Sequence, residues 1–449
     1  MKKIQINKNS IVWIPIIILF LGIIIRLSFT GYFGIKETYK DFWGAETYVH
    51  DVPEHIQYVQ FIAENLTLPE VDKGLEYPQQ PLYYITIGVA YQLLNILFNI
   101  PSDEIFRILI WFSCIFSIGT LIFTFLTIKQ LKLPIWIQSF IIGIFAFTPS
   151  FIFQSIMISN DALLPLTASA SFFFLIKYLK NEKLIYLILS VIWAILSVFT
   201  KISAGLLLII ILFALIYKYK QKNDKNILLM SGAVLLIGFL CFAMALHRAY
   251  IPSVKQFRFV ESYKYEHQKT NPESFSYFLD FNFIDLVKEG QSYVFGNESV
   301  ARTLPTFLYG SFLFGEFNYD NVVNIYPQIK LLMRIIIILG LLFPIGLIVN
   351  LFFIKKWDII DYVSGLGIII NFILIVYFLY KYPSVCNSDF RYFVPSFTGL
   401  LIFSGMGIHR LTEKYSKSKI IIATLYFSLI FLELIWVISR IIIRASINI

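Results

Sequence analysis

Two observations dictate an all-α polytopic membrane protein: apolar runs of about 20 residues recur to the end of the chain, and 58% of residues are hydrophobic against 14% charged. A mean hydropathy of +0.73 is incompatible with a soluble globule. No polar block is long enough to fold as a separate soluble domain. The net charge of +9 therefore reads as lysines on cytoplasmic loops, which excludes nucleic acid as a partner and leaves membrane lipids in its place. Cys114 and Cys241 sit in apolar runs and Cys386 in a short polar loop, so the cysteines supply neither a disulfide framework nor a metal-ligand spacing.

Each span follows from its apolar run. The runs fall near residues 11–31, 105–128, 135–157, 162–178, 184–199, 202–217, 227–247, 331–354, 359–380, 391–409 and 418–443, about eleven crossings at typical span lengths. The first has a basic start, Lys2, Lys3 and Lys8, but continues to Arg26 without a small-residue cleavage site, as an uncleaved span does. Lysines and arginines then cluster in alternate loops: Lys129/Lys132, Lys177/Lys180/Lys183, Lys218/Lys220/Lys222/Lys225, Lys355/Lys356 and Arg410/Lys414/Lys417/Lys419. By the positive-inside rule these loops and the N-terminus are cytoplasmic, and the C-terminus is outside. The scheme holds only if residues 81–100 do not cross, so a helix in the outer interface is expected there.

Two extracytoplasmic regions remain, 32–104 and 248–330, too long for plain connections and expected to contain interfacial helices. In the first, Asp51 and Glu54 have capping-box spacing. Val52, Ile56, Val59, Ala63 and Leu66 then form a stripe that could lie on the membrane, with Gln57, Gln60 and Glu64 toward water. The second is rich in Tyr250, Tyr263, Tyr265, Tyr277, Tyr293, Tyr309 and Tyr319, interleaved with Glu261, Asp280, Asp285, Glu298, Glu316 and Asp320. Such a mixture suits carbohydrate, and equally suits an aromatic belt.

The motif His50-Asp51-x-x-x-His55-x-x-Tyr58, then Leu68-Pro69, Tyr77-x-x-Gln80-Pro81-Leu82-Tyr83-Tyr84, Ser159-Asn160-Asp161-Ala162 and Phe390-Arg391-Tyr392-Phe393-Val394-Pro395 resembles the GT-C superfamily of polytopic glycosyltransferases. The nearest likeness is to bacterial proteins similar to protein O-mannosyltransferases and aminoarabinose transferases. The resemblance implies a GT-C fold, a polyprenyl-phosphate-linked sugar donor, an outward-facing site in a bacterial cytoplasmic membrane, and inversion at the anomeric carbon. The acceptor would be a lipid, a glycan or a protein hydroxyl. Many relatives have Asp-Glu where this chain has Asp51-Val52, which bears on the divalent metal (Mg, Mn or Zn) that Asp51 and Asp161 could hold. The expected organisation is a catalytic transmembrane module, 1–247, containing loop 32–104; a large loop, 248–330; and C-terminal helices, 331–449.

Transfer from a polyprenyl phosphate releases a stable anion, so the site needs a base for the acceptor hydroxyl and cations for the phosphate rather than a strong acid. Asp51 is the expected base; its alternative role is a helix cap. Asp161 is the second acid, orienting acceptor or metal, or else capping the helix that follows. His55, one turn from Asp51, could orient that carboxylate. Lys201, Arg391 and Arg107 lie at outer span ends, where cations are disfavoured unless they meet a lipid phosphate or snorkel to the interface. Glu76, Gln80 and Tyr83 complete the expected substrate-binding set. Glu433, inside the last span, is expected to pair with a neighbouring helix. The competing function is a transporter or flippase of a lipid-linked sugar, but no internal repeat or midplane charge pair supports it. A non-catalytic assembly subunit is the third class.

Overall fold

The computed structural model describes residues 13–36, 52–249, 274–290, 303–315, 326–353, 357–383 and 385–447, and among these there is helix and no strand. The N-terminal half comprises α1 (Ile14–Lys36), α2 (Val52–Asn65), α3 (Leu82–Phe98), α4 (Ser102–Gln130), α5 (Ile135–Phe147), α6 (Pro149–Gln154), α7 (Asn160–Asn181), α8 (Leu184–Thr200), α9 (Leu206–Lys222) and α10 (Lys225–Ala249). After it come the short α11 (Phe275–Leu279), α12 (Phe283–Glu289) and α13 (Leu304–Phe314), then α14 (Pro327–Gly340), α15 (Leu342–Phe352), α16 (Ile359–Lys381), α17 (Phe397–Lys414) and α18 (Ser418–Ile447). Among the described residues, eight helices or helix pairs are long and apolar enough to cross a bilayer. The other three expected crossings coincide with α5 and α6, with α8, and with α17 behind the 3-10 turn Phe390–Ser396.

Hydrogen bonds fix the direction of the helices. Lys180, at the end of α7, donates to the Gln130 carbonyl at the end of α4, while Ser113 of α4 donates to Met157 O just before α7, at 2.6 Å. The two helices are therefore antiparallel, with the start of α7 level with residue 113. Gln79, just before α3, meets Asn160 at that level, and Tyr91 of α3 bonds Ser102 at the start of α4 (2.9 Å). Helix α3 thus climbs back along the first turns of α4 and does not reach the lysine-rich end. The non-crossing expectation for 81–100 agrees with this geometry.

The stripe on α2 faces protein instead of lipid. Ile56, Val59, Ile62 and Ala63 are buried against α3, where Gly88 allows the approach: a Cβ there would lie 2.9 Å from Ile62 Cγ2 and 3.2 Å from Val59 O. Leu66, expected in the stripe, is 66% exposed. A surface helix with a second helix beside it buries its apolar face on that helix first, and α3 in turn carries the exposed apolar side chains Ile85, Val89, Leu93 and Ile96.

Two buried polar groups shape the bundle. Helix α5 ends at Thr148 before Pro149, leaving terminal carbonyls without helical donors. The fully buried Arg26 of α1 supplies them: it donates to Ala146 O and Phe145 O, both at 2.9 Å, and to Ser117 Oγ at 2.8 Å. At the same break, Thr148 donates to the buried Glu433 carboxylate (3.1 Å), which is the interhelical pairing expected of Glu433. The lysine-rich end has its own fastening. Arg410 of α17 grips Asp361 of α16 through both carboxylate oxygens and also meets Asn350 of α15. Beside it, Lys218 and Lys222 hydrogen-bond Glu182 and pull its carboxyl down to about 2.

Candidate active site

The site lies at the end of the bundle opposite the lysine clusters. Pro78 and Pro81 deny donors to the 77–81 segment, so it runs as an irregular loop and feeds side chains inward. Glu76 and Gln80 are buried, as are Tyr83 and Tyr84 in the first turn of α3. From α2, His55 reaches Tyr84 Oη at 2.7 Å through Nδ1, with a Glu76 carboxylate oxygen 3.8 Å from the same nitrogen. Tyr84 stacks on Tyr58 at 3.8 Å between centroids. Burial pushes the Tyr58 hydroxyl up to about 12 against the pull of Arg248, so it stays protonated across the physiological range.

Asp161 occupies the first turn of α7, after the extended Ser159. Its carboxylate accepts from Lys201 Nζ at 2.6 Å, with no capping bond at this helix start. Asp161 is 5% exposed and Lys201 9%, so the lysine forms a buried pair rather than snorkelling to the interface. Lys201 sits where α8 stops and the chain turns into the 3-10 helix Ile202–Gly205, which aims its side chain back across α7. Its ammonium lies 5.1 Å from the Tyr392 ring centroid. Arg391 lies over the same ring at 5.4 Å, and both Arg391 and His55 are close enough to act on the Asp161 carboxylate. Asp389 orders the Arg391 backbone by accepting from its N–H at 2.6 Å.

Asp161, Lys201, Arg391 and His55 are therefore brought together, with Glu76 against His55. Gln80 turns to the Ala245 carbonyl (2.9 Å), and Tyr83 packs edge-on against Tyr84. Arg107 is half-buried on α4 and makes no hydrogen bond or ion pair with this group among the described residues. Asp51 lies outside the described residues, as do most of the aromatic and acidic residues expected in 248–330. Tyr277 and Tyr309 are described and are packing residues, bonded to Ser388 and to Ile337 O. Sequence reasoning gave no role of their own to Tyr84 and Asn160, which stand in the motifs, or to Gln79 and Arg248. Arg248 carries the same signal as Lys201, a cation at the outer end of a span.

Among the described residues, no three His, Cys, Asp or Glu side chains come together as a metal site. One Asp161 oxygen is occupied by an ammonium. The described residues alone do not fit a divalent ion.

Comparison with known proteins agrees with this architecture. The dolichyl-phosphate-mannose-protein mannosyltransferase family matches residues 89–251, a segment that contains Asp161, Lys201 and Arg248. The fold is similar to the oligosaccharyltransferase of Archaeoglobus fulgidus: TM-score 0.54 and 12% identity to its apo form, over 98% of this chain and 57% of that one. For the complex of that protein with zinc and sulfate, the TM-score is 0.56 at 12% identity, over 94% and 53%. Its complex with an inhibitory peptide and a dolichol-phosphate gives 0.52 at 11%, over 95% and 56%. This chain spans little more than half the length of those structures. Against curated protein sequences, it has no match. The chain is therefore a polytopic helical membrane protein whose fold is similar to that of this oligosaccharyltransferase and whose residues 89–251 match the mannosyltransferase family.

Proposed function

We propose that the protein is an inverting glycosyltransferase that moves a sugar from a polyprenyl-phosphate donor to a hydroxyl acceptor, at the outer face of a bacterial cytoplasmic membrane. The buried Asp161–Lys201 pair, with Arg391 and His55 beside it, supports this most. A carboxylate paired with one cation in a dry place, with a second cation near, suits a reaction that begins neutral at a hydroxyl and ends with negative charge on a phosphate.

In this mechanism Asp51 takes the acceptor hydroxyl proton while the acceptor oxygen attacks the anomeric carbon from the face opposite the phosphate. The bond from that carbon to the phosphate oxygen breaks, and its electron pair leaves with the polyprenyl phosphate. Arg391 holds two phosphate oxygens, and Lys201 offers the protons that Asp161 does not use. Asp161 orients the acceptor, and His55, fixed by Tyr84, sets the position of the Asp51 carboxylate. Glu76, Gln80 and Tyr83 shape the substrate side. The donor chemistry is supported by the matched family and by the dolichol-phosphate in the related complex.

Purified protein given a polyprenyl-phosphate sugar and an acceptor should release polyprenyl phosphate and form a product of opposite anomeric configuration, read by NMR. An intact donor after prolonged incubation with defined lipid, glycan and peptide acceptors would defeat the proposal. A flippase predicts instead donor movement between leaflets without cleavage.

A further inference from the structure

We infer that Arg248, the penultimate residue of α10, is a positioning residue that sets the spacing between the two halves of this site, an inference that rests on the proposed activity. Its Nη2 donates to Tyr58 Oη at 2.7 Å, Tyr77 O at 2.8 Å and Pro69 O at 3.4 Å, and its Nε to Gln79 O at 3.3 Å. Three of these acceptors are backbone carbonyls in a loop without regular structure, which must find donors elsewhere. A guanidinium fork can serve several at once; an ammonium on a flexible stem cannot hold the same geometry.

Both ends of the clamp continue into the site. Gln79, whose carbonyl Arg248 holds, accepts from Asn160 with its side chain (3.3 Å), and Asn160 also bonds Thr200 O (3.2 Å). Asn160 and Thr200 are the chain neighbours of Asp161 and Lys201. Tyr58, whose hydroxyl Arg248 holds, stacks on Tyr84, which bonds His55. Gln80 adds a second tie from the same loop to α10 through Ala245 O. One side chain therefore joins the His55 and Glu76 side to the Asp161 and Lys201 side without belonging to either. Loss of the clamp should free the 69–80 loop, misplace His55 and lower the chemical step more than donor affinity.

The test measures kcat, donor KM and tryptic cleavage after the exposed Lys73 in folded, purified Arg248→Lys, Arg248→Ala and Tyr58→Phe variants. Arg248→Ala should lower kcat at least tenfold, change donor KM less than threefold and speed cleavage at Lys73 about tenfold. Arg248→Lys should fall between it and the parent, and Tyr58→Phe in the Arg248→Ala background should add little. Folded Arg248→Ala with parental kcat overturns the inference, as does a fall in kcat with cleavage at Lys73 unchanged. Should Arg248→Ala fail to fold, the same readouts on Arg248→Lys and Tyr58→Phe decide it. Lys201→Met is the control: if it retains full activity, the site itself is misassigned, whereas an inactive Lys201→Met beside a fully active Arg248→Ala overturns the positioning role alone.

Discussion

Replacing Lys201 with methionine keeps most of the side-chain length and removes only the charge that Asp161 meets at 2.6 Å. The carboxylate is then left in a place where its side chain is 8% exposed. Removing one member of a buried ion pair costs about 3 to 5 kcal/mol, because the other charge stays desolvated and uncompensated. Arg391 and His55 lie near enough to offset part of this, so the expected loss is at the low end, about 3 kcal/mol. Asp161→Asn alone leaves the ammonium buried, with the Tyr392 ring at 5.1 Å as partial consolation, and should cost a similar amount. The double variant should lose less than the sum of the two, with a coupling of about 1.5 kcal/mol or more. Reversible unfolding in mixed micelles at rising SDS fraction measures all four proteins on one scale. Single losses below about 1 kcal/mol that simply add would mean that water screens the pair as at a surface, and the dry site on which the mechanism depends would not exist.

Other outcomes follow from the same geometry. Asp51→Asn should slow transfer about 100- to 10,000-fold while sparing donor binding; near-parental turnover would move the base elsewhere. Arg391→Ala should weaken donor binding about tenfold or more, the equivalent of a charge-assisted contact of about 1.5 to 3 kcal/mol, with partial recovery in Arg391→Lys; equal donor titrations in all three proteins would remove Arg391 from the phosphate. Turnover should survive EDTA within about twofold, since an ammonium already matches the Asp161 charge, and activity lost to EDTA and restored by Mg, Mn or Zn would count against that. In a Cys386→Ser background, a cysteine at Lys73 should react with an impermeant thiol reagent on intact cells and one at Gln221 should not; the reverse pattern would invert the sidedness.

The crossings were legible because each hydrophobic run is long and the lysines alternate, two signals that act locally and need no partner. The place of α3 along the first turns of α4 agrees with a non-crossing 81–100, an expectation that came from parity alone: only that choice kept Lys129, Lys180 and Lys218 on one side. The α2 stripe misled because periodicity shows that a face is apolar without naming what covers it, and Gly88 of α3 was the cover. In the site, Asp161 and Lys201 stood out as polar groups at span ends, but their pairing joins residues 40 positions apart and depends on the turn after α8. Arg248 stayed hidden because its acceptors are mostly carbonyls, which every sequence possesses and none advertises.

The partnership of Arg26 with the broken end of α5 also concerns time. Its backbone acceptors at Phe145 and Ala146 are made about 120 residues after it. Until then the first helix carries an arginine near its centre with its later acceptors still unmade, a burden of about 2.5 to 3.5 kcal/mol on insertion scales. The helix is apolar enough to enter the bilayer regardless, but its lowest-energy place is not yet built. Arrival of α4 brings Ser117; arrival of α5 and its proline stop brings the two carbonyls. The kink at Pro149 therefore does for the first helix what a docking partner does for a subunit, making the earliest part of the chain wait for a later one before it can settle.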